Sequence, residues 1–204
     1  HLRKYLPFKE GTPSDDTLRR FFRALDPKAF ESCFTEWVRS FQLDLEDKVI
    51  AIDGKTSRRS FDGGGKPMHM VSALVSELGI VLGQQKVSEK SSEVTAIPEL
   101  LDLIELFDLS GAIVTTDALG CQSKIVEKIL SKGADYLLGL KGNQSGLHKD
   151  VQLIYEQPSK GMVFSSAEII EKGHGRIETR KCKVGSDIEW LRARHPQWGQ
   201  LNSI

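Results

Sequence analysis

Two stretches of the chain share a run of apolar residues that ends in an aspartate, and this repeated pattern constrains the fold most. VIAIDGKT places Asp53 after strand-forming residues, and IVTTDALG places Asp117 in the matching position. Short apolar and β-branched runs bounded by turn residues predict buried strands. We therefore expect two buried strands, each with a carboxylate at its tip.

The remaining periodicity predicts that these strands belong to a mixed sheet. Alternation over residues 69–87 predicts a hairpin that turns near Glu77–Gly79, after a Gly-rich connection at 57–68. The predicted order is strand, hairpin, helix, strand, helix, strand, helix, at residues 48–56, 69–87, 91–107, 112–117, 122–133, 135–141 and 145–157. Strand–helix alternation after a hairpin implies right-handed crossovers on the parallel side of the sheet.

Local signals set the ends of these elements. Ser92 is the expected N-cap of the helix that follows the hairpin, with Pro98 at or near its first turn, and Gly133 is the expected C′ residue of the next helix. After Pro158, alternation over two runs predicts a second hairpin with its turn near EKGHG. A short helix is expected within 187–198, and GQLNSI at the chain end reads as the start of a strand.

The first part of the chain predicts two short amphipathic helices. Ser14 is the expected N-cap of one, and Asp26 followed by Pro27 is the expected start of the other. Two short helices joined tightly are compatible with a helix-turn-helix, but only Arg19, Arg20 and Arg23 cluster as a basic patch. We favour a packing unit, since aromatic residues take up much of both helical surfaces.

Composition adds few constraints. The 28 Lys and Arg residues balance the 28 Asp and Glu residues, so net charge gives no argument for a nucleic-acid partner. Three widely spaced cysteines show no zinc-like spacing and fit a reducing cytoplasm. No apolar run approaches the about 20 residues of a membrane span, and no signal peptide is visible. The start at His1 indicates a fragment.

Two carboxylates at one edge of a sheet point to metal chemistry. Adjacent strands would bring Asp53 and Asp117 together, where two ionised groups repel unless a proton or cation lies between them. Carboxylates plus a substrate phosphate commonly hold Mg²⁺, which supports phosphodiester chemistry. The alternative is that both aspartates cap turns. We favour the metal, although the pattern alone does not fix the reaction.

Several blocks resemble one bacterial insertion-sequence family, the DDE transposases that include the H-repeat-associated proteins. The matching blocks are AIDGKTSRRS, VLGQQKVSEKSSEVTAIPELL, TTDALGCQ, DYLLGLKGNQSGLHKDV and GHGRIETRKCKV, with a helical region before them that begins GTPSDDTLRRFF. The resemblance implies an α/β fold: a ribonuclease-H-like mixed sheet flanked by helices, with an N-terminal helical segment at 1–46. The core at 47–204 would carry a β-hairpin insertion at about 160–185 and be incomplete at its C-terminus.

The same resemblance implies a function and its catalytic residues. It implies DNA cleavage and strand transfer at inverted repeats with Mg²⁺ or Mn²⁺, Asp53 and Asp117 being the first and second catalytic acids and metal ligands. The family's third acid is a glutamate in a late-helix pattern like HWxIEN, which this chain lacks. The chain is therefore expected to be inactive alone. Glu178 lies in the β segment and is not assigned that role.

Expected partners are double-stranded DNA, as transposon ends and target, and a second copy in a homodimer. No membrane association and a bacterial cytoplasmic location are expected.

Basic and polar residues near these motifs are candidate DNA contacts. They are Lys55, Arg58, Arg59, Lys141, Asn143, His174, Arg176 and Arg180. For Lys141 and Asn143, phosphate contact and turn closure are equally good interpretations. The charges on the second hairpin can instead form cross-strand ion pairs. Exposed loops carry such charges in any case.

Two other hypotheses stay open at this point. The chain can be a non-catalytic DNA-binding or assembly module, in which the aspartates only shape turns. It can also be another ribonuclease-H-like nuclease whose third acid is Glu178 or Asp150.

Overall fold

The computed structural model describes Lys4 and residues 11–61, 67–87, 93–173 and 176–204. Within those ranges the side chains of residues 58, 59, 61, 93 and 176 fall outside the description. The chain divides into two compact units, His1–Leu43 and Asp44–Ile204. Over the described ranges, no helix has the length and apolar character that a membrane span requires.

The first unit contains the two predicted helices, α1 (Asp15–Ala24) and α2 (Pro27–Arg39). Ser14 caps α1 by accepting a hydrogen bond from the Thr17 amide, and Asp26 caps α2 by accepting from the amides of residues 28 and 29. The predicted caps are therefore present. The packing interpretation is met by α2, which buries Thr35 and Val38, but not by α1, which buries no residue.

The second unit is built on a five-stranded mixed sheet with strand order β3-β2-β1-β4-β5. The sheet strands are β1 (Val49–Phe61), β2 (Pro67–Val75), β3 (Ile80–Val87), β4 (Ile113–Thr116) and β5 (Asp135–Leu138). β1 pairs antiparallel with β2 and parallel with β4, which pairs parallel with β5. The helices are α3 (Glu93–Leu103), α4 (Ser123–Ser131), α5 (Ser145–Glu156) and α6 (Glu189–Arg194). This arrangement confirms the predicted ribonuclease-H-like mixed sheet flanked by helices.

The predicted second hairpin is also present, as β6 (Phe164–Gly173) paired antiparallel with β7 (Arg176–Gly185). Its predicted turn near EKGHG falls partly on residues 174–175, which lie outside the described residues. The final residues do not form a strand. Ile204 instead makes a single two-way backbone pair with Gly185, with both hydrogen bonds at 3.0 Å.

Element boundaries differ from the predictions at two places. β1 continues to Phe61 rather than ending before a Gly-rich connection, because the antiparallel partner β2 extends it through the Phe61–Pro67 pair. Pro98 lies inside α3, which begins at Glu93, and not at its first turn. The expected cap Ser92 lies outside the described residues.

One face of the sheet is buried beneath helices. Its side chains come from every second residue of the central strands and are nearly inaccessible: Ile50, Ile52, Val71, Ala73, Val75, Leu82 and Val114. α3 covers this face closely: a Cβ on Gly83 of β3 would lie 2.9 Å from Ile104 Cγ2. The close approach requires glycine there and fixes α3 on the sheet.

The opposite face, which we call the open face, is half-buried to exposed. It carries Ala51, Ser72, Leu74, Thr115 and Leu137. Since side chains alternate along a strand, Asp53 lies on this open face together with Ala51.

Candidate metal centre

The strand register places Asp53 and Asp117 at the same rim of the sheet. In the parallel β1–β4 pair, Ile52 lies opposite Thr116, so the residues that follow them are Asp53 and Asp117. Asp117 keeps an extended backbone, with φ −71° and ψ −175°. Neighbouring strands lie about 4.8 Å apart, which brings the two backbones into adjacency. The two aspartates therefore lie at neighbouring positions across β1 and β4. Asp117 directly follows its strand as predicted, but Asp53 does not lie at a strand tip, because the pairing with β2 continues β1 to Phe61.

Polar side chains continue this row across the sheet. Asp53 pairs in register with Ser72 of β2, and Ser72 pairs with Gln84 of β3. The amide of Gln84 donates to Ser72 Oγ at 3.0 Å. The rim of the open face thus runs Gln84, Ser72, Asp53, Asp117, whereas the next row inward is apolar at Leu74 and Ala51.

Asp53 is held by a lysine on its own strand. The ammonium group of Lys55 contacts Asp53 Oδ2 in a salt bridge, and both side chains are largely exposed. The two residues are two positions apart on β1 and therefore share the open face. The hydrogen bond from this ammonium to the Asp53 carboxylate, and the charge of the carboxylate, raise the pKa of Lys55.

Asp117 is held by backbone instead. Its Oδ1 accepts a hydrogen bond from the Leu119 amide at 3.0 Å and so caps the short turn Ala118–Gly120. The turn-capping alternative is thus structurally correct for Asp117. It does not exclude metal binding, because a carboxylate has about four lone-pair sites and this cap uses one of them.

The turn after Asp117 is closely packed, and Gly120 has no side chain that would collide with its neighbours. A Cβ at Gly120 would lie 2.3 Å from Thr116 Oγ1 and 2.6 Å from Thr116 Cβ. A Cβ at Gly139, at the end of β5, would lie 3.2 Å from the Ala118 amide nitrogen. Gly120 thus leaves room for the Thr116 side chain, and Gly139 lets the backbone after β5 approach the backbone of the turn that follows Asp117.

The segment after β5 is clamped onto the same turn. Asn143 Nδ2 donates to the Ala118 carbonyl at 2.6 Å, and Gln144 Nε2 donates to the Cys121 carbonyl at 3.0 Å. For Asn143, the structure therefore shows the loop-closing interpretation, with its amide bonded to protein. Lys141 is exposed and precedes the short turn Gly142–Gln144.

The other predicted DNA contacts are only partly described. His174 and the side chains of Arg58, Arg59 and Arg176 lie outside the described residues. Arg180 on β7 contacts Glu171 at 3.4 Å and Glu178 at 3.1 Å, all three side chains being exposed. At Arg180 the alternative of cross-strand ion pairs is therefore the one that the structure shows.

The two alternative third acids are both engaged elsewhere. Glu178 lies on β7 and pairs with Arg180. Asp150 on α5 accepts from His195 Nε2 and from Arg194 Nε, each at 2.7 Å, and its side chain is only 14% exposed. These bonds, led by the one from His195, lower the pKa of Asp150. Asp150 links α5 to the end of α6 and is not presented at the rim.

The donor set at the rim was tested for its fit to a divalent cation. Two carboxylates on one face supply the hard oxygen ligands that Mg²⁺ and Mn²⁺ prefer. Among the described residues, no group of three or more His, Cys, Asp or Glu side chains could hold a metal ion. By the chemistry of their oxygen atoms, Asp53 and Asp117 are the residues of the rim suited to hold such a cation.

Several residues of the site were missed by sequence reasoning. Gln84 and Ser72 join the rim only through the strand register, while Gln144 and Gly139 act through the clamp. Lys86 lies in register with Met70 and hence with Lys55, so it shares the open face beside the acids. The sequence signal for Gln84 and Lys86 was their alternate spacing in QQK, directly after Gly83. Alternate spacing shows that two residues share a face of the strand, but not which face of the sheet that is.

Cys121 follows the turn, and its small side chain is buried, at 2% exposure. Burial raises the pKa of its thiol to about 11. A thiol of that pKa is almost wholly protonated near neutral pH and is a poor metal ligand.

Fold and rim together define a class: a mixed α/β domain with one acid, Asp53, on β1 where its pairing with β4 ends, and another, Asp117, directly after β4. The family described as "Transposase DDE domain" matches residues 44–194, and the one described as "DDE_Tnp_1-associated" matches residues 1–38. The chain belongs to the DDE transposase family of insertion sequences.

Several similar proteins are known in bacteria. An uncharacterized protein in the dhlA 3′ region of Xanthobacter autotrophicus is 43% identical over 100% of this chain and 68% of its own length. YncI of Escherichia coli O157:H7, which carries a transposase name, is 47% identical over 88% of this chain and 46% of its own length. The H repeat-associated YhhI of E. coli K12, also named as a transposase, is 42% identical over 92% of this chain and 50% of its own. The chain thus spans about half the length of these last two.

Among solved structures, a piggyBac transposase synaptic complex with hairpin DNA is similar at a TM-score of 0.40 and 9% identity. That similarity covers 74% of this chain and 38% of the other. It is too slight to bear on function.

Proposed function

We propose that this chain is part of a transposase that cleaves DNA and transfers strands at the inverted repeats of an insertion sequence. Asp53 and Asp117 would be its catalytic acids and its ligands for Mg²⁺ or Mn²⁺. The observation that carries the proposal is the register of β1 and β4, which puts the two acids side by side on the open face. Membership of the DDE transposase family supplies the reaction class.

The rim suits this chemistry because the buried face of the sheet supports it from beneath, while the open face leaves the two acids accessible to a ligand. A bound divalent cation would act as a Lewis acid on the phosphodiester. Asp53 and Asp117 would hold it, and the buried face beneath them keeps both strands in register. Asp117 presents its carboxylate from a capped turn, so little reorganisation is needed when a ligand arrives.

Calorimetric titration with Mn²⁺ tests the site. We expect the wild-type chain to bind, and both Asp53→Asn and Asp117→Asn to weaken binding by at least about tenfold, since each removes a negative ligand. Asp135→Asn is the matched control, because Asp135 opens β5 and lies at the opposite rim. Equal isotherms for the wild type and both rim variants would remove the assignment of the metal ligands.

Lys55 has a specific part in this proposal. Its ammonium group occupies Asp53 Oδ2 and so stands where a metal cation would bind. We propose that Lys55 leaves Asp53 for a DNA phosphate when the site is loaded. Lys55→Ala should then tighten Mn²⁺ binding and weaken DNA binding, whereas Lys86→Ala should weaken DNA binding alone.

Strand transfer needs more than this chain presents at the rim. The resemblance implies a third carboxylate on a late helix, and Glu178 and Asp150 are both bound to basic side chains. We therefore propose that this chain binds metal but does not nick supercoiled DNA alone. Nicking that is lost in Glu178→Gln would show instead that the hairpin supplies the third acid.

The candidate DNA contacts remain part of the proposal. Lys55, Lys141, Asn143 and Arg180 are those with described, exposed side chains, and we add Lys86 of the open face to them. Arg58, Arg59, His174 and Arg176 stay candidates on sequence grounds. A mobility shift with double-stranded DNA, run in EDTA and in Mg²⁺, tests the assignment. Binding that is the same in both would favour the second candidate, a non-catalytic DNA-binding or assembly module.

A homodimer is also proposed, and α1 supports it. Its apolar stripe of Leu18, Phe21 and Phe22 is 43–67% exposed. An isolated helix of ten residues is marginal in water, so a covering partner would stabilise it. Sedimentation velocity of the chain should show a dimer that Phe22→Ser weakens; a monomer at every concentration would remove this part of the proposal.

A further inference from the structure

We infer that Asn143 is a positioning residue for the metal site: its side-chain amide fixes the turn that presents Asp117. This inference rests on the proposed function, because it concerns a ligand of the proposed metal. It assigns to the LKGNQ segment a role inside the protein rather than a contact with phosphate.

The contacts that hold the turn come from both directions along the chain. From within, Thr116 Oγ1 donates to the Asp117 carbonyl at 3.0 Å, and Asp117 Oδ1 accepts from the Leu119 amide at 3.0 Å. From the β5–α5 segment, the Gly139 amide donates to the Thr116 carbonyl at 3.1 Å. Asn143 then completes the set at the Ala118 carbonyl. The peptide unit before Asp117 and the Ala118–Leu119 peptide unit, whose amide bonds to the Asp117 carboxylate, are therefore tied to the segment after β5.

Among the side chains of the β5–α5 segment that reach the turn, Asn143 acts closest to the carboxylate. Its acceptor, the Ala118 carbonyl, belongs to the residue directly after Asp117, at 2.6 Å. Gln144 acts further along the turn, at the Cys121 carbonyl, and makes a second bond to Gln122 Oε1 at 3.1 Å. Both Gln144 bonds are partly buried, whereas the Asn143 bond is exposed.

This difference separates a positioning role from a general stabilising one. Gln144 makes more numerous and better shielded hydrogen bonds, so its loss should lower the melting temperature more than the loss of Asn143. The effect on metal affinity should be in the opposite order: the loss of Asn143 should weaken Mn²⁺ binding more than the loss of Gln144. Groups that orient a ligand typically change metal affinity by about 10–100-fold when they are removed. Of the two side chains compared, Asn143 is the one that bonds to the residue directly after Asp117, whose carbonyl also accepts from the Cys121 amide at 3.3 Å.

The experiment measures Mn²⁺ affinity by calorimetry and melting temperature by circular dichroism for Asn143→Ala, Gln144→Ala and the wild-type chain. Asn202→Ala is the matched control, since it removes the same side-chain amide from the chain's final residues. We expect Asn143→Ala to weaken Mn²⁺ binding by about tenfold. Gln144→Ala should weaken it less while lowering the melting temperature more, and Asn202→Ala should leave the affinity unchanged.

The outcomes distinguish this inference from the proposed function. If the wild type binds Mn²⁺, Asp117→Asn loses binding and Asn143→Ala keeps wild-type affinity, the positioning role is overturned and the metal site stands. Affinity losses that simply follow the melting temperatures would also overturn it, in favour of general stabilisation. A wild-type chain that binds no Mn²⁺ would overturn both.

Discussion

The five-stranded sheet and the β6–β7 hairpin are built from similar alternating strands, but they differ in what covers them. In the sheet, every second residue of the central strands lies beneath helices, and Ile50 is 0% exposed. In the hairpin, Ile177 is 71% exposed and Ile170 is 67% exposed. Alternation is therefore enough to form strands, while burial requires a second layer.

The contrast extends to charges and to function. Charges on the hairpin are neutralised across its strands, as at Arg180 and at Lys181, which contacts Glu168 at 3.0 Å. The rim of the sheet instead places Asp53 and Asp117 at neighbouring positions across β1 and β4, and the base that contacts Asp53 is Lys55 of the same strand. A rigid layer beneath a rim can hold like charges close together, which an exposed hairpin cannot do as firmly.

The largest expected effect comes from truncating equivalent isoleucines in the two regions. Ile50→Ala should lower the free energy of unfolding by about 2–5 kcal/mol, because it leaves a cavity in the buried face. Ile177→Ala should change it by less than about 0.5 kcal/mol, since the side chain lies in solvent. Urea denaturation of both variants measures this. Similar losses would mean that the hairpin is covered in solution.

A second comparison uses glycines. Gly120→Ala should destabilise the chain by about 1–3 kcal/mol, because the added Cβ collides with Thr116 and the turn must shift. Gly173→Ala, where a Cβ meets nothing within 4 Å, should be neutral or slightly stabilising. Thermal unfolding distinguishes them, and a tolerated Gly120→Ala would show that the turn after Asp117 is not tightly constrained.

A third prediction concerns pH and sharpens the contrast between shielded and exposed acids. The folded-state pKa of Asp150 lies below its ordinary value of about 3.9, mainly because His195 bonds to it. Its contribution to stability is therefore present above that ordinary value and is lost as the pH falls through the folded-state pKa. The stability advantage of the wild type over Asp150→Asn should shrink below about pH 4.

Chemical denaturation at a series of pH values tests this prediction for Asp150. Glu178→Gln on the hairpin serves as the exposed comparison. A stability difference for Asp150→Asn that is constant from neutral pH to the acid limit would contradict the assigned role of the His195 bond.

The smallest effect is expected from the hairpin ion pairs. Arg180→Ala should cost no more than about 1 kcal/mol, because its partners are exposed and screened by salt. Raising the salt concentration should reduce even that difference. A larger loss, measured by thermal unfolding, would indicate that these pairs are shielded and that the hairpin has a covering partner.

Much of the fold was predictable because local signals agree with it. Ser14, Asp26 and Gly133 mark helix ends, and the alternation around Glu77–Gly79 gave the first hairpin. The errors occur where tertiary contacts override local ones. β1 passes through predicted connection residues because β2 pairs with it, and Pro98 is accommodated within α3.

The candidate site was predictable only in part, for the same reason. A strand followed by an aspartate is visible in the sequence, so Asp53 and Asp117 were identified. Gln84, Ser72 and Lys86 gain their places from strand register, which depends on which strands pair and not on any one segment. Asn143 was identified as a candidate, but its hydrogen bond to Ala118 could not be foreseen, because 25 residues separate the partners.

The sequence by itself determined the strands, most helix caps and the two strand-end acids, since these depend on residues close together along the chain. The tertiary structure alone decided which face each side chain takes, which acids share a rim and which basic groups neutralise Glu178 and Asp150. Those outcomes depend on pairing and packing between distant segments, where small shifts in register move every side chain to the other face.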